Sequence, residues 1–143
     1  MGVIFLLFFF TLMELSAIDN KIMFADVIAD FFETTLEMRR YEKNYFLYRQ
    51  PADYEESLRY VSRAEEILSQ HKGEYEDLLA SSDFLRLKEL LQDYRVLLEK
   101  YAVSTANATA LETEIRDRGK ELIMLAERIS VTEKKRIRQL LTD

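Results

Sequence analysis

Phe84-Leu85-Arg86-Leu87-Lys88-Glu89-Leu90-Leu91-Gln92-Asp93-Tyr94-Arg95-Val96-Leu97-Leu98-Glu99-Lys100-Tyr101 decides the fold class. Phe84, Leu87, Leu91, Tyr94, Leu98 and Tyr101 recur at alternating spacings of three and four. That period places them on one stripe of an α-helix, with charged residues on the other side. The preceding Ala80-Ser81-Ser82-Asp83 is small and polar, and offers serine or aspartate as an N-cap. After Tyr101 the pattern lapses through Ser104-Thr105-Ala106-Asn107 and resumes with Leu111, Ile115, Leu122, Leu125 and Ile129. Ser130-Val131-Thr132-Glu133 has capping-box spacing, which predicts a kink or a fresh helix start there.

Upstream, Pro51 disfavours the α conformation in the residue before it and suits the first turn of a new helix. A helix that opens there carries Tyr54, Leu58, Val61, Leu68, Tyr75, Leu78 and Leu79 on its seam and passes through Gly73 without a change of phase. The first helix has no breaker between Ile18 and Tyr48. Its apolar residues follow two tracks, Ile18, Ala25, Phe32, Phe46 and Ile22, Ala29, Leu36. Composition agrees with helices throughout: three glycines and one proline in 143 residues cannot supply the turns of a sheet protein. The expected fold is all-α, an elongated antiparallel up-down-up-down four-helix bundle with long first and last helices over about 18–49, 52–79, 83–103 and 108–141. Residues 18–143 form that domain.

Residues 3–13 are almost wholly apolar, but eleven residues are too few for a bilayer core that takes about 20. The preferred reading of residues 1–17 is a partial membrane-spanning helix or signal-anchor remnant; a signal peptide and a buried helix are the alternatives. Absence of cysteine excludes disulfides, thiolate catalysis and cysteine-ligated zinc. The net charge of −6 has both signs interleaved, which is no nucleic-acid footprint. The basic run at residues 134–138 is either a headgroup contact or a solvated last turn. His71, the only histidine, makes no metal site alone, and no cofactor motif or catalytic constellation is evident.

The first helix puts charge where its pattern asks for apolar groups. Arg39 and Lys43 fall on the two tracks with Glu42 beside them, and Arg118 takes a seam position between Ile115 and Leu122. Register brings Arg59, Arg63 and Tyr94 to a similar height. The expectation is a polar layer of Arg39, Glu42, Lys43, Arg59, Arg63, Tyr94 and Arg118. It serves either as a pocket for a small anionic ligand, matched by guanidinium geometry, or as an internally paired ion network. Tyr41, Tyr45, Tyr48, Tyr54 and Tyr60 crowd one tip, as packing or as pocket lining.

The run Arg39-Arg40-Tyr41-Glu42-Lys43-Asn44-Tyr45-Phe46-Leu47-Tyr48 resembles the helical-bundle sensor domains of bacterial two-component histidine kinases and chemoreceptors. Asp53-Tyr54-Glu55-Glu56 and Leu125-Ala126-Glu127-Arg128-Ile129-Ser130 are similar to later parts of such domains. The resemblance covers about residues 18–143, with Arg39, Arg40, Glu42 and Lys43 as its motif positions. It implies a non-enzymatic periplasmic input domain on the bacterial inner membrane, often dimeric, that senses a small ligand or a periplasmic partner protein. Such a domain passes a helix displacement to a cytoplasmic module, and the residues given hold no second hydrophobic span or kinase core. A membrane-tethered scaffolding bundle without a ligand is the competing class; an enzyme fragment is a third.

Overall fold

A computed structural model describes residues 2–70, 81–104 and 108–142. They form four helices, α1 (Gly2–Tyr48), α2 (Pro51–Gln70), α3 (Ser81–Val103) and α4 (Thr109–Thr142), with no strand among the described residues. The expected passage of the second helix through Gly73 to residue 79 lies outside them, as does His71. In space α1 packs on α2 and on α4, α3 packs on α4, and α2 and α3 also touch.

The periodicity of α3 is realised in full. Phe84, Leu87, Leu91, Tyr94, Leu98 and Tyr101 are all buried, joined by Leu90. They meet Ile28, Phe31 and Met38 of α1, Val61 and Leu68 of α2, and Ile115, Leu122 and Ile129 of α4 in one continuous core. Each fully buried side chain of this size contributes about 1.5–3 kcal/mol relative to exposure. The core is therefore ample without metal or disulfide support.

Two seams run one position away from where the apolar residues alone put them. On α1 the buried line is Ile28, Phe31, Thr35, Met38 and Glu42, while Leu36 is exposed. Thr34 and Thr35 are polar, yet each hydroxyl donates to its own helix, to Asp30 O at 2.7 Å and Phe32 O at 2.7 Å. A threonine satisfied in this way presents its methyl group to the core. On α4 the buried line is Ile115, Gly119, Leu122, Ala126, Ile129 and Glu133, so the seam passes through Gly119 and not Arg118.

α2 begins on Pro51 as expected, and only Arg49 and Gln50 link it to α1. Arg49 takes the left-handed conformation, φ 55°, and its N–H donates to Tyr45 O at 2.9 Å. This closes α1 in the αL manner, without the glycine that usually fills the position. By contrast, α4 runs through Ser130 and Glu133 with no break. The capping-box reading fails because Ser130 and Glu133 are both buried on the seam, and Thr132 Oγ1 donates back to Arg128 O at 2.8 Å as helical threonines do.

α1 continues through residue 17 to Gly2 as one helix. The expected membrane location is corrected here: among the described residues no helix is long and apolar enough to cross a membrane. The apolar run of α1 stops at Glu14, and eleven helical residues extend only about 16 Å against a hydrocarbon core of about 30 Å. Placement on the bacterial inner membrane facing the periplasm therefore does not stand.

Candidate functional site

The polar layer forms, with fewer members than the sequence offered. Arg39 and Glu42 lie one turn apart on the core face of α1; Glu42 is fully buried and Arg39 is 6% exposed. Arg39 Nε lies 3.1 Å from Glu42 Oε1, and the buried Tyr94 of α3 donates its hydroxyl proton to the same oxygen at 2.7 Å. From α2, Ser57 donates to Met38 O at 3.2 Å. From α4, Arg116 O accepts from Arg39 Nη1 at 3.4 Å. Every helix thus contributes to one level of the interior.

Gly119 makes room for it. A Cβ built on Gly119 clashes with Arg39 Cδ and comes within 2.9 Å of both Nε and Nη1. The missing side chain is a notch through which the guanidinium reaches Glu42. Even so, the pairing is incomplete. Glu42 Oε2 has no hydrogen-bond partner among the described residues, and Arg39 Nε faces Glu42 as an ion pair without a well-directed hydrogen bond.

Electrostatics follow from burial. Loss of solvation pushes the Glu42 carboxyl above its ordinary value, although Arg39 and the Tyr94 hydrogen bond oppose the shift. Burial, and then the adjacent Glu42, pushes the Tyr94 hydroxyl well up, so it remains a donor.

The other expected members lie outside the layer. Arg59 pairs with Glu56 at 2.7 Å and covers the Tyr60 ring, and Arg63 pairs with Asp30 at 3.1 Å, both at the surface. Arg118 sits between Asp93 and Glu121, each at 3.8 Å. Lys43 is exposed. One residue along a helix turns a side chain by about 100°, and long basic stems extend to solvent where acidic partners are plentiful. Sequence reasoning missed Gly119 and Ser57. A glycine inside an otherwise unbroken helical pattern was the available signal for the first; Ser57 gave none.

At the tyrosine-rich tip Tyr41, Tyr45, Tyr54 and Tyr60 pack on one another or on Tyr101, while Tyr48 is exposed. Tyr45 meets Tyr54 at 5.5 Å and Tyr101 at 5.7 Å, and Tyr41 stacks on Tyr60 at 5.7 Å. Tyr101 donates to Glu112 at 2.6 Å beneath the Arg49 guanidinium, which lies 4.6 Å from its ring. No group of three or more metal-ligating side chains occurs among the described residues. In the basic run of α4, Arg136 pairs with Glu133 at 2.8 Å.

Outside the layer, between α1 and α4, lies an open groove of about 610 Å³. Leu36, Leu47, Ile123 and Met124 give it an apolar lining, with Arg40, Lys43 and Lys120 along it and Arg39 at its inner wall. Arg39 is therefore shared between the buried layer and the groove. A second cleft of about 760 Å³, lined by side chains of both signs, lies between α2 and α3. No family model matches the chain, nor does any curated protein or solved structure.

Proposed function

We propose that the chain is a non-enzymatic signal-input domain, of the kind used by two-component sensor kinases and chemoreceptors. Its body is an elongated antiparallel up-down-up-down four-helix bundle. Support for that topology comes from pairings whose numbers rise on one helix as they fall on the next: Asp30 with Arg63 and Met38 with Ser57, Asp83 with Arg128 and Asp93 with Arg118. An effector in the α1–α4 groove biases the packing of the layer, and α1 and α4, the two longest helices, carry the displacement onward.

The observation that carries this reading is the shared position of Arg39. An anion in the groove competes with Glu42 for one guanidinium, and among the described residues Glu42 already lacks a partner for Oε2. A ligand shifts two packings only by its difference in affinity for them. Competition for a buried cation supplies such a difference. The opposing reading, a scaffolding bundle without effector, is favoured by the contacts that Arg39, Glu42 and Tyr94 already make with one another.

Thermal unfolding of the full chain against a panel of small mono- and dicarboxylates separates the two. A ligand at about a hundred times its Kd adds about 2.7 kcal/mol of stability. The input reading expects a rise in Tm that is lost in Lys43→Gln/Lys120→Gln, a variant that leaves the buried layer intact. A flat response across carboxylates and helical peptides alike selects the scaffold.

A further inference from the structure

We infer that the α1–α4 groove receives an acidic amphipathic helix of a partner protein; this deepens the signal-input reading and rests on it. The groove is unusual for this chain. Acidic residues outnumber basic ones, 26 to 20, yet the groove lining holds four cations and no carboxylate. Arg40 has a partner in Glu37 at 2.7 Å. Lys43 and Lys120 face each other's helices with no ion-pair partner among the described residues.

The shape points to a helix. Leu36, Arg40, Lys43 and Leu47 repeat at spacings of four, three and four, which is a second seam on α1 turned away from the core. It extends for about 16 Å, three helical turns. Leu36, Leu47 and Met124 stay exposed along it. A small ligand lying in such an open trough leaves one side in water, whereas small-molecule sites enclose most of their guest. An amphipathic helix covers the trough along its length with apolar residues at i, i+3, i+4 and i+7.

Charge selects the occupant. A symmetric second copy presents the same patch to itself, so Arg40, Lys43 and Lys120 would oppose identical cations. A helix with glutamates flanking its apolar stripe pairs with Lys43 on one side and Lys120 on the other. Where it lies over Arg39, a carboxylate of the partner also draws on the cation that Glu42 holds.

The test uses the full chain and two hydrocarbon-stapled peptides of about three to four turns. They carry the same leucine stripe, one flanked by glutamate and the other by lysine. Fluorescence anisotropy should show saturable binding of the acidic peptide, weakened by salt and by about tenfold or more in Lys43→Glu/Lys120→Glu. The basic peptide should bind only that variant. Both positions are exposed, and circular dichroism verifies that the variant folds. Equal binding of the two peptides, insensitivity of the acidic peptide to the charge reversal, or no binding of it at all overturns the inference. Self-association of the chain that the double variant abolishes overturns it in favour of a second copy. If carboxylates raise Tm while the acidic peptide fails to bind, the partner helix is lost and the signal-input reading stands.

Discussion

Substituting Gly119 by alanine sets two effects of known sign against each other. Alanine in a helix interior is favoured over glycine by about 1 kcal/mol. Against this, the new methyl group overlaps Arg39 Cδ and crowds Nε and Nη1, so the guanidinium has to leave the notch. Glu42 is then a buried carboxylate without its cation, and breaking a buried pair in this way costs about 3–5 kcal/mol. The net expectation is a destabilisation of about 2–4 kcal/mol. With a urea slope of about 2 kcal/mol per molar, the midpoint falls by about 1–2 M. The measurement is urea unfolding of the full chain followed by far-ultraviolet circular dichroism, in a mild non-ionic detergent that keeps the exposed apolar end of α1 dispersed. The control is the background in which Arg39 is already alanine. There the methyl group meets no guanidinium, and Gly119→Ala should change sign and stabilise by about 1 kcal/mol. A Gly119→Ala protein stabilised by that amount in the native background would refute the notch, since Arg39 would then have moved aside at no cost.

Three further outcomes follow from the same geometry. Because the folded-state value of Glu42 is raised above 4.5, the native chain holds its proton more tightly than the unfolded chain. The stability Glu42 contributes is complete below that value and is lost as pH rises through the raised one. The difference in unfolding free energy between the native chain and Glu42→Gln should therefore decline from pH 4.5 upward, and a difference constant with pH refutes the assignment. Tyr94→Phe removes the hydroxyl that donates to Glu42 at 2.7 Å and should cost about 1.5–3 kcal/mol, read as a urea midpoint; a neutral substitution contradicts the bond. Tyr101 is pushed up to about 12 by burial and then by its hydrogen bond to Glu112, so Tyr101→Phe should delete a step near pH 12 from an ultraviolet alkaline titration and leave the steps near pH 10 in place.

Where sequence pattern and packing agree, one physical cause is at work. Every stripe position of α3 is apolar or aromatic, so its phase is overdetermined and all six residues are found buried. Arg39, Glu42 and Tyr94 were legible as a layer because a charge on an otherwise apolar stripe has to be met from a neighbouring helix. Phase fails where the stripe is marked by few apolar residues. α1 between Phe32 and Phe46 offers Leu36 and Met38 on different faces, and self-bonded threonines decide between them. On α4, Arg118 and Gly119 compete for one seam position. A basic side chain reads as a site and a glycine reads as a gap, whereas here the gap admits a basic side chain from elsewhere. The groove was not legible at all, because it takes α1 and α4 together to bring Lys43 near Lys120.

The link between α1 and α2 sets how this body moves. Two residues, one of them locked in the left-handed region and the other followed by proline, leave no slack. A shift of α1 along its axis by one turn, about 5.4 Å, has to drag α2 with it. Those two helices are mechanically one arm. A displacement of α1 beside the α1–α4 groove therefore also moves the α2 wall of the 760 Å³ cleft between α2 and α3.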